Sequence, residues 1–218
     1  MSILSDLVSL LSLYVEDAMP VPEAEVQQFT SVQNILLRDD HKQFLMRFFS
    51  GPNRRLHLFK SYKGDFEFWM FKSVYLDEKF SMVLPPGCAY FGSSFVGTTL
   101  CVEYESGSIF EYDEDEKYGM VHECIDGFLM RGLLLAYDEV AFSSKVVIQW
   151  LEQAEIDAFE AKNEQNKIAR ATTFSGRAKT VDNPKRLVEY YLVDGKLIYL
   201  FFPMRTMVEL SGGVLTRL

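Results

Sequence analysis

The stretch Tyr90–Glu116, YFGSSFVGTTLCVEYESGSIFEYDEDE, decides the fold. Thr98–Glu105 and Ser108–Tyr112 read as two short strands, and Ser106-Gly107 between them makes a tight hairpin turn. Working outward, Cys88–Phe91 and Phe80–Leu84 extend the same pattern. Period two continues back to Arg54: Leu56 and Leu58 alternate with His57 and Phe59, and Phe66, Phe68 and Met70 alternate with Glu67, Trp69 and Phe71. Ser61 to Gly64 reads as the hairpin loop between those two runs. The pattern predicts an antiparallel sheet of about five strands or more, backed by helices, in an α+β fold.

Helical spacing appears on both sides of this region. Ile3, Leu4, Leu7, Val8, Leu11 and Tyr14 form one stripe with Ser2 as N-cap. Pro22 opens a second helix with Glu23 and Glu25 in its first turn, where the helix dipole favours acids. A third starts at Asp39 or Asp40, runs through Phe44, Leu45 and Phe48, and stops at Gly51-Pro52-Asn53. Ile125–Tyr137 is a fourth. Ser143 is expected to begin a longer one, through Val147, Trp150, Leu151, Ala154 and Phe159 to about Lys167. Thr172–Pro184 reads as a polar loop. Leu187–Val193 and Lys196–Phe202 flank Asp194-Gly195, a strong hairpin signal, with Thr206–Leu210 as a third strand. The organisation expected is an α+β domain over residues 1–140, with residues 141–218 as a helix and β-hairpin elaboration packed on it.

The chain has 218 residues, 48% apolar and 14% aromatic, which is globular composition. Its net charge of −9 argues against nonspecific binding to nucleic acid or to anionic membranes, since both need phosphate neutralised. The acids are concentrated in Glu103, Glu105, Glu111, Asp113, Glu114, Asp115 and Glu116, a window without a cation. Such a run is either a solvated sheet edge or a docking surface for a basic partner. Three cysteines, an odd count, make no disulfide framework and fit a reducing compartment. The apolar start lacks the basic residues of a signal peptide, its first cation being Arg38, and no run of about 18 apolar residues exists. A cytoplasmic protein is expected.

Catalytic and metal-binding patterns are sparse. His41, His57 and His122 are the only histidines, and His122 with Cys124 is a lone pair without the second pair a zinc site uses. Gly92-Ser93-Ser94-Phe95-Val96-Gly97 places its second glycine one position too late for a nucleophile elbow. Asp113–Glu116 is too crowded for a calcium loop. Neither a phosphate loop nor a dinucleotide fingerprint occurs. No cofactor is expected.

The stretch already quoted resembles the SUKH superfamily, which includes bacterial immunity proteins and homologues of a yeast cell-wall assembly regulator. Phe91-Gly92-Ser93-Ser94, Gly97, Leu100-Cys101-Val102-Glu103-Tyr104, Gly107 and Ile109-Phe110-Glu111-Tyr112-Asp113 carry the likeness: an aromatic, a glycine turn, a strand, a second glycine turn, and a strand ending in acids. Upstream, Glu25-Val26 with Phe29, then Leu37 before Asp40-His41-Lys42-Gln43-Phe44-Leu45, is similar to the family's first helices. Arg38 stands where the family has a proline, and Ser50-Gly51-Pro52-Asn53 replaces an Asn-Gly turn. The likeness spans residues 23–130. It implies a domain that binds proteins without chemistry, in bacteria neutralising a toxin that is often a nuclease.

The function expected is therefore a non-catalytic immunity-type module whose partner is a basic toxin domain, bound through the seven acids. An intracellular regulatory or scaffold module is the alternative. A hydrolase using Ser94 with His122 is a third.

Overall fold

The computed structural model describes residues 2–49, 56–60, 64–77, 84–93, 98–113, 116–175 and 185–218. Among these are six α-helices and nine strands, every described pairing antiparallel, so the fold is α+β. Nine strands accord with the expected sheet of about five or more; three of them were not foreseen, because two runs read as helix or loop and a third carries no clear pattern. The structure falls into two compact units. One, here the aromatic unit, takes in the described residues of 15–121. The other, the hairpin unit, takes in those of 2–14, 122–175 and 185–218.

The aromatic unit begins with α2 (Glu23–Val32) and α3 (Asp39–Arg47), both started by acids. Helix α4 (Phe68–Leu76) follows, then strands β1 (Cys88–Ser93), β2 (Thr99–Glu103), β3 (Ile109–Asp113) and β4 (Glu116–His122), side by side in that order. His122, the last residue of β4, belongs to the hairpin unit. The expected strands at 56–59 and 66–71 are corrected here: His57–Phe59 is one 3-10 turn, and Phe68–Leu76 is helical. Every second residue of Phe66–Met70 is aromatic or Met, but within the helix Phe68, Phe71 and Val74 are the buried ones. That three-residue interval is helical spacing, which local alternation masks where nearly every residue is apolar. Leu84 lies outside any strand, and residues 80–83 of that expected strand lie outside the described residues. The core is ring on ring: Phe44 lies 4.7 Å from Phe91, Phe59 5.1 Å from Phe66, and Phe29 6.0 Å from both Phe68 and Phe71.

The hairpin unit holds α1 (Ile3–Ser12), capped by Ser2 Oγ, which accepts from the Ser5 amide at 3.3 Å. Leu4, Leu7, Val8 and Leu11 are its buried stripe and pack against α5 (Ile125–Ala141), where Ser5 Oγ donates to Asp126 at 2.7 Å. Both helices begin before residue 140, and they pack in the same unit as the elements that follow it. Strands β6 (Thr173–Phe174), β7 (Arg186–Val193), β8 (Lys196–Phe201), β9 (Thr206–Ser211) and β5 (Ser144–Ile148) lie side by side in that order, and His122 pairs with Thr173. The Asp194-Gly195 hairpin and the third strand form as expected.

The long helix expected from Ser143 is the second correction. Ser144–Ile148 is extended, and the helix α6 spans only Gln153–Asn163. Val146-Val147-Ile148 is a β-branched run, stiff at χ1 and suited to a strand. Trp150 then turns the chain at φ 64°, and a Glu152/Glu155 capping box starts α6. One face of this ladder carries Tyr191, Ile198 and Leu200 against Leu151 and Ile156 of the α6 side.

Candidate functional site

The acidic window lies on β2, β3 and β4. Glu105 is in the turn after β2, while Asp113 and Glu116 end β3 and begin β4, so β3 separates the exposed acids into two groups. All three are exposed. Glu103 and Glu111 are half-buried and engaged within the chain: Glu103 accepts from Lys117 Nζ at 2.9 Å and Ser106 Oγ at 2.8 Å, and Glu111 accepts from Thr98 Oγ1 at 2.6 Å. Burial opposes the charge of Glu103, but the Lys117 and Ser106 hydrogen bonds outweigh it and hold the carboxyl below the usual range. Asp113 accepts from the Tyr118 hydroxyl at 3.1 Å, which raises that phenol's pKa. Glu114 and Asp115 lie outside the described residues.

Two cations that the sequence window did not contain reach this segment. Lys117 sits one residue beyond it, and its ammonium also lies 3.4 Å from the centre of the Phe110 ring. Arg38 comes from the start of α3. Its Nη1 donates to the Tyr104 carbonyl at 2.8 Å, while Asp40 takes its Nε at 3.0 Å. Gly107, at φ 72°, leaves room for that guanidinium: a Cβ there would come within 2.8 Å of it. Arg38 thus ties the helix start to the β2–β3 turn. Sequence reasoning missed both contacts because each spans residues far apart or just outside the window.

Of the residues weighed for catalysis, Cys124 and His122 lie in structural surroundings. Cys124 is the N-cap of α5: its thiol donates to the Arg170 carbonyl at 2.8 Å and its sulfur accepts from the Gly127 amide at 3.4 Å. Burial pushes that thiol up to about 11, so it is protonated at neutral pH. His122 is fully enclosed, edge-on to Phe128 at 5.4 Å, and burial lowers its pKa well below the ordinary value. Its Nδ1 has no hydrogen-bond partner among the described residues. Ser94, its suggested nucleophile, lies outside the described residues. Among the described residues no group of three His, Cys, Asp or Glu side chains is placed to hold a metal ion, and no helix is long and apolar enough to cross a membrane.

The hairpin unit holds two features that sequence reasoning did not find. A cleft of about 290 Å³ opens between α5 and the sheet, lined by Arg131, Leu134, Tyr190, Tyr199, Phe201 and Val208 among others. The last strand in the order, β5, is exposed along all five residues. Its signal was the β-branched run read above as part of a helix. A scan against protein-family models, a search of curated proteins and a search of solved structures each found no match to this chain.

Proposed function

We propose that the chain is a non-catalytic protein-binding module of the immunity type, acting in the cytoplasm on a basic toxin domain. The observation that carries this reading is the standing of the acids. Glu105, Asp113 and Glu116 face solvent around β3, Asp113 with a hydrogen bond from the Tyr118 hydroxyl, whereas Glu103 and Glu111 are half-buried against neighbours in the same chain. Exposed charge held on a strand framework speeds encounter with a partner of opposite sign more than it deepens final affinity. The SUKH-like order of glycine turns and strands points the same way, and the net charge of −9 adds a long-range field.

The test begins with the full chain as bait in its native organism and with the product of any gene beside its own. Against the polypeptide so identified, the triple variant Glu105→Gln, Asp113→Asn, Glu116→Gln should associate about 10-fold more slowly at low salt, with a flatter salt dependence. A bound partner whose kinetics are indifferent to all three changes rejects the acidic surface.

A further inference from the structure

We propose that β5 is a self-association edge, pairing antiparallel with β5 of a second copy about a two-fold axis through Val147. The inference is independent of the acidic segment and rests on the hairpin unit alone.

Strand β5 ends its ladder. Among the described residues β9 is its only named neighbour, in unbroken register from Ser144 opposite Ser211 to Ile148 opposite Met207. Its other side therefore offers a row of backbone donors and acceptors. Natural edges are guarded by proline, bulges or free charges, and β5 has neither proline nor bulge. Its one charge, Lys145, is neutralised at 2.7 Å by Asp138 of α5, a carboxylate itself mostly covered. Val146, Val147 and Ile148 are 49%, 46% and 38% exposed, an uncommon state for three consecutive β-branched residues.

The occupant follows from the order of the side chains. Read antiparallel against itself about Val147, the strand sets Val146 opposite Ile148, Val147 opposite Val147, and Lys145 opposite Gln149. Apolar meets apolar on both faces, and no like charges are opposed. Shifting the axis to Val146 sets Lys145 against Val147 and Ser144 against Ile148, so the polarity selects one register. Because β5 runs antiparallel to β9, such a partner continues the alternation and closes as a two-fold dimer. Leu135 and Val140 of α5, 60% and 64% exposed, widen the apolar surface on the helix that carries Asp138.

The experiment is sedimentation of the full chain from low micromolar to several hundred micromolar, with three single variants. Wild type should show a monomer–dimer equilibrium. Val147→Lys sets lysine against lysine at the axis and should weaken dimerisation at least about 100-fold; because Val147 is half exposed, the fold should persist, as circular dichroism will check. Val147→Cys should cross-link to a dimer under mild oxidation and Ile148→Cys should not, since only residue 147 meets itself. The native thiols Cys88, Cys101 and Cys124 are all shifted toward the protonated, unreactive form. A monomeric wild type, a dimer unmoved by Val147→Lys, or cross-linking through residue 148 in preference to 147 overturns the proposal.

Discussion

The two terminal strands β1 and β5 manage exposed backbone in opposite ways. The outer side of β1 is covered by its own chain: the Ser93 amide donates to the Asp65 carbonyl at 3.0 Å, and the Tyr90 amide to the Tyr75 hydroxyl at 3.2 Å. Gly64 lies so close that a Cβ there would meet the Ser93 carbonyl, and a bulge interrupts the register between Tyr90 and Gly92. Strand β5 has none of these devices. Covering and bulging are how a sheet edge avoids unwanted partners, so their presence at one edge gives meaning to their absence at the other.

Removing the cover of β1 has the largest expected effect. Phe66 is buried against Phe59 and Phe91 and follows directly on the Asp65 bridge to Ser93. Phe66→Ala should cost about 3–5 kcal/mol in denaturant unfolding. A loss below about 1 kcal/mol would mean that this segment does not hold the edge.

Acid should act next, on the same side. His41 is enclosed by Phe44, Phe71 and Phe91, and neither ring nitrogen has a hydrogen-bond partner among the described residues. Burial lowers its pKa from 6.5 to about 4, with Asp40 opposing and Arg38 adding to the shift. Between those values the unfolded chain takes up the proton and the folded chain refuses it. Stability is therefore complete above about pH 6.5 and is lost as pH falls toward 4, by up to roughly 3 kcal/mol. His41→Phe keeps the ring packing and should remove the part of the acid sensitivity due to His41, leaving the separate part due to His122. Denaturation midpoints that fall equally with pH in both proteins would contradict the assignment.

The same contrast explains what the sequence made legible. Strands β1, β2 and β3 and the Asp194-Gly195 hairpin were readable because glycine turns and alternation act locally. Phe66–Phe71 misled because nearly every residue there is apolar, and a periodicity needs polar residues to show its phase. Ser144–Ile148 misled for the reverse reason: Val147, Trp150, Leu151 and Ala154 fall at helical spacing, and only the left-handed turn at Trp150 breaks the strand from α6. The acidic window was legible as composition, but its division by β3 and its contacts with Arg38 and Lys117 arise from tertiary structure. So do the cleft beside α5 and the covering of β1 by Asp65 and Tyr75.

Amide hydrogen exchange of residues 88–93 and 144–148, measured at several protein concentrations, tests the difference between the edges most directly. The covered edge predicts that the Tyr90 and Ser93 amides are protected equally at every concentration. The open edge predicts that the outward amides of β5 exchange quickly when dilute and slow as the concentration rises. Protection of β5 that ignores concentration, or rapid exchange at Tyr90 and Ser93, would contradict the account.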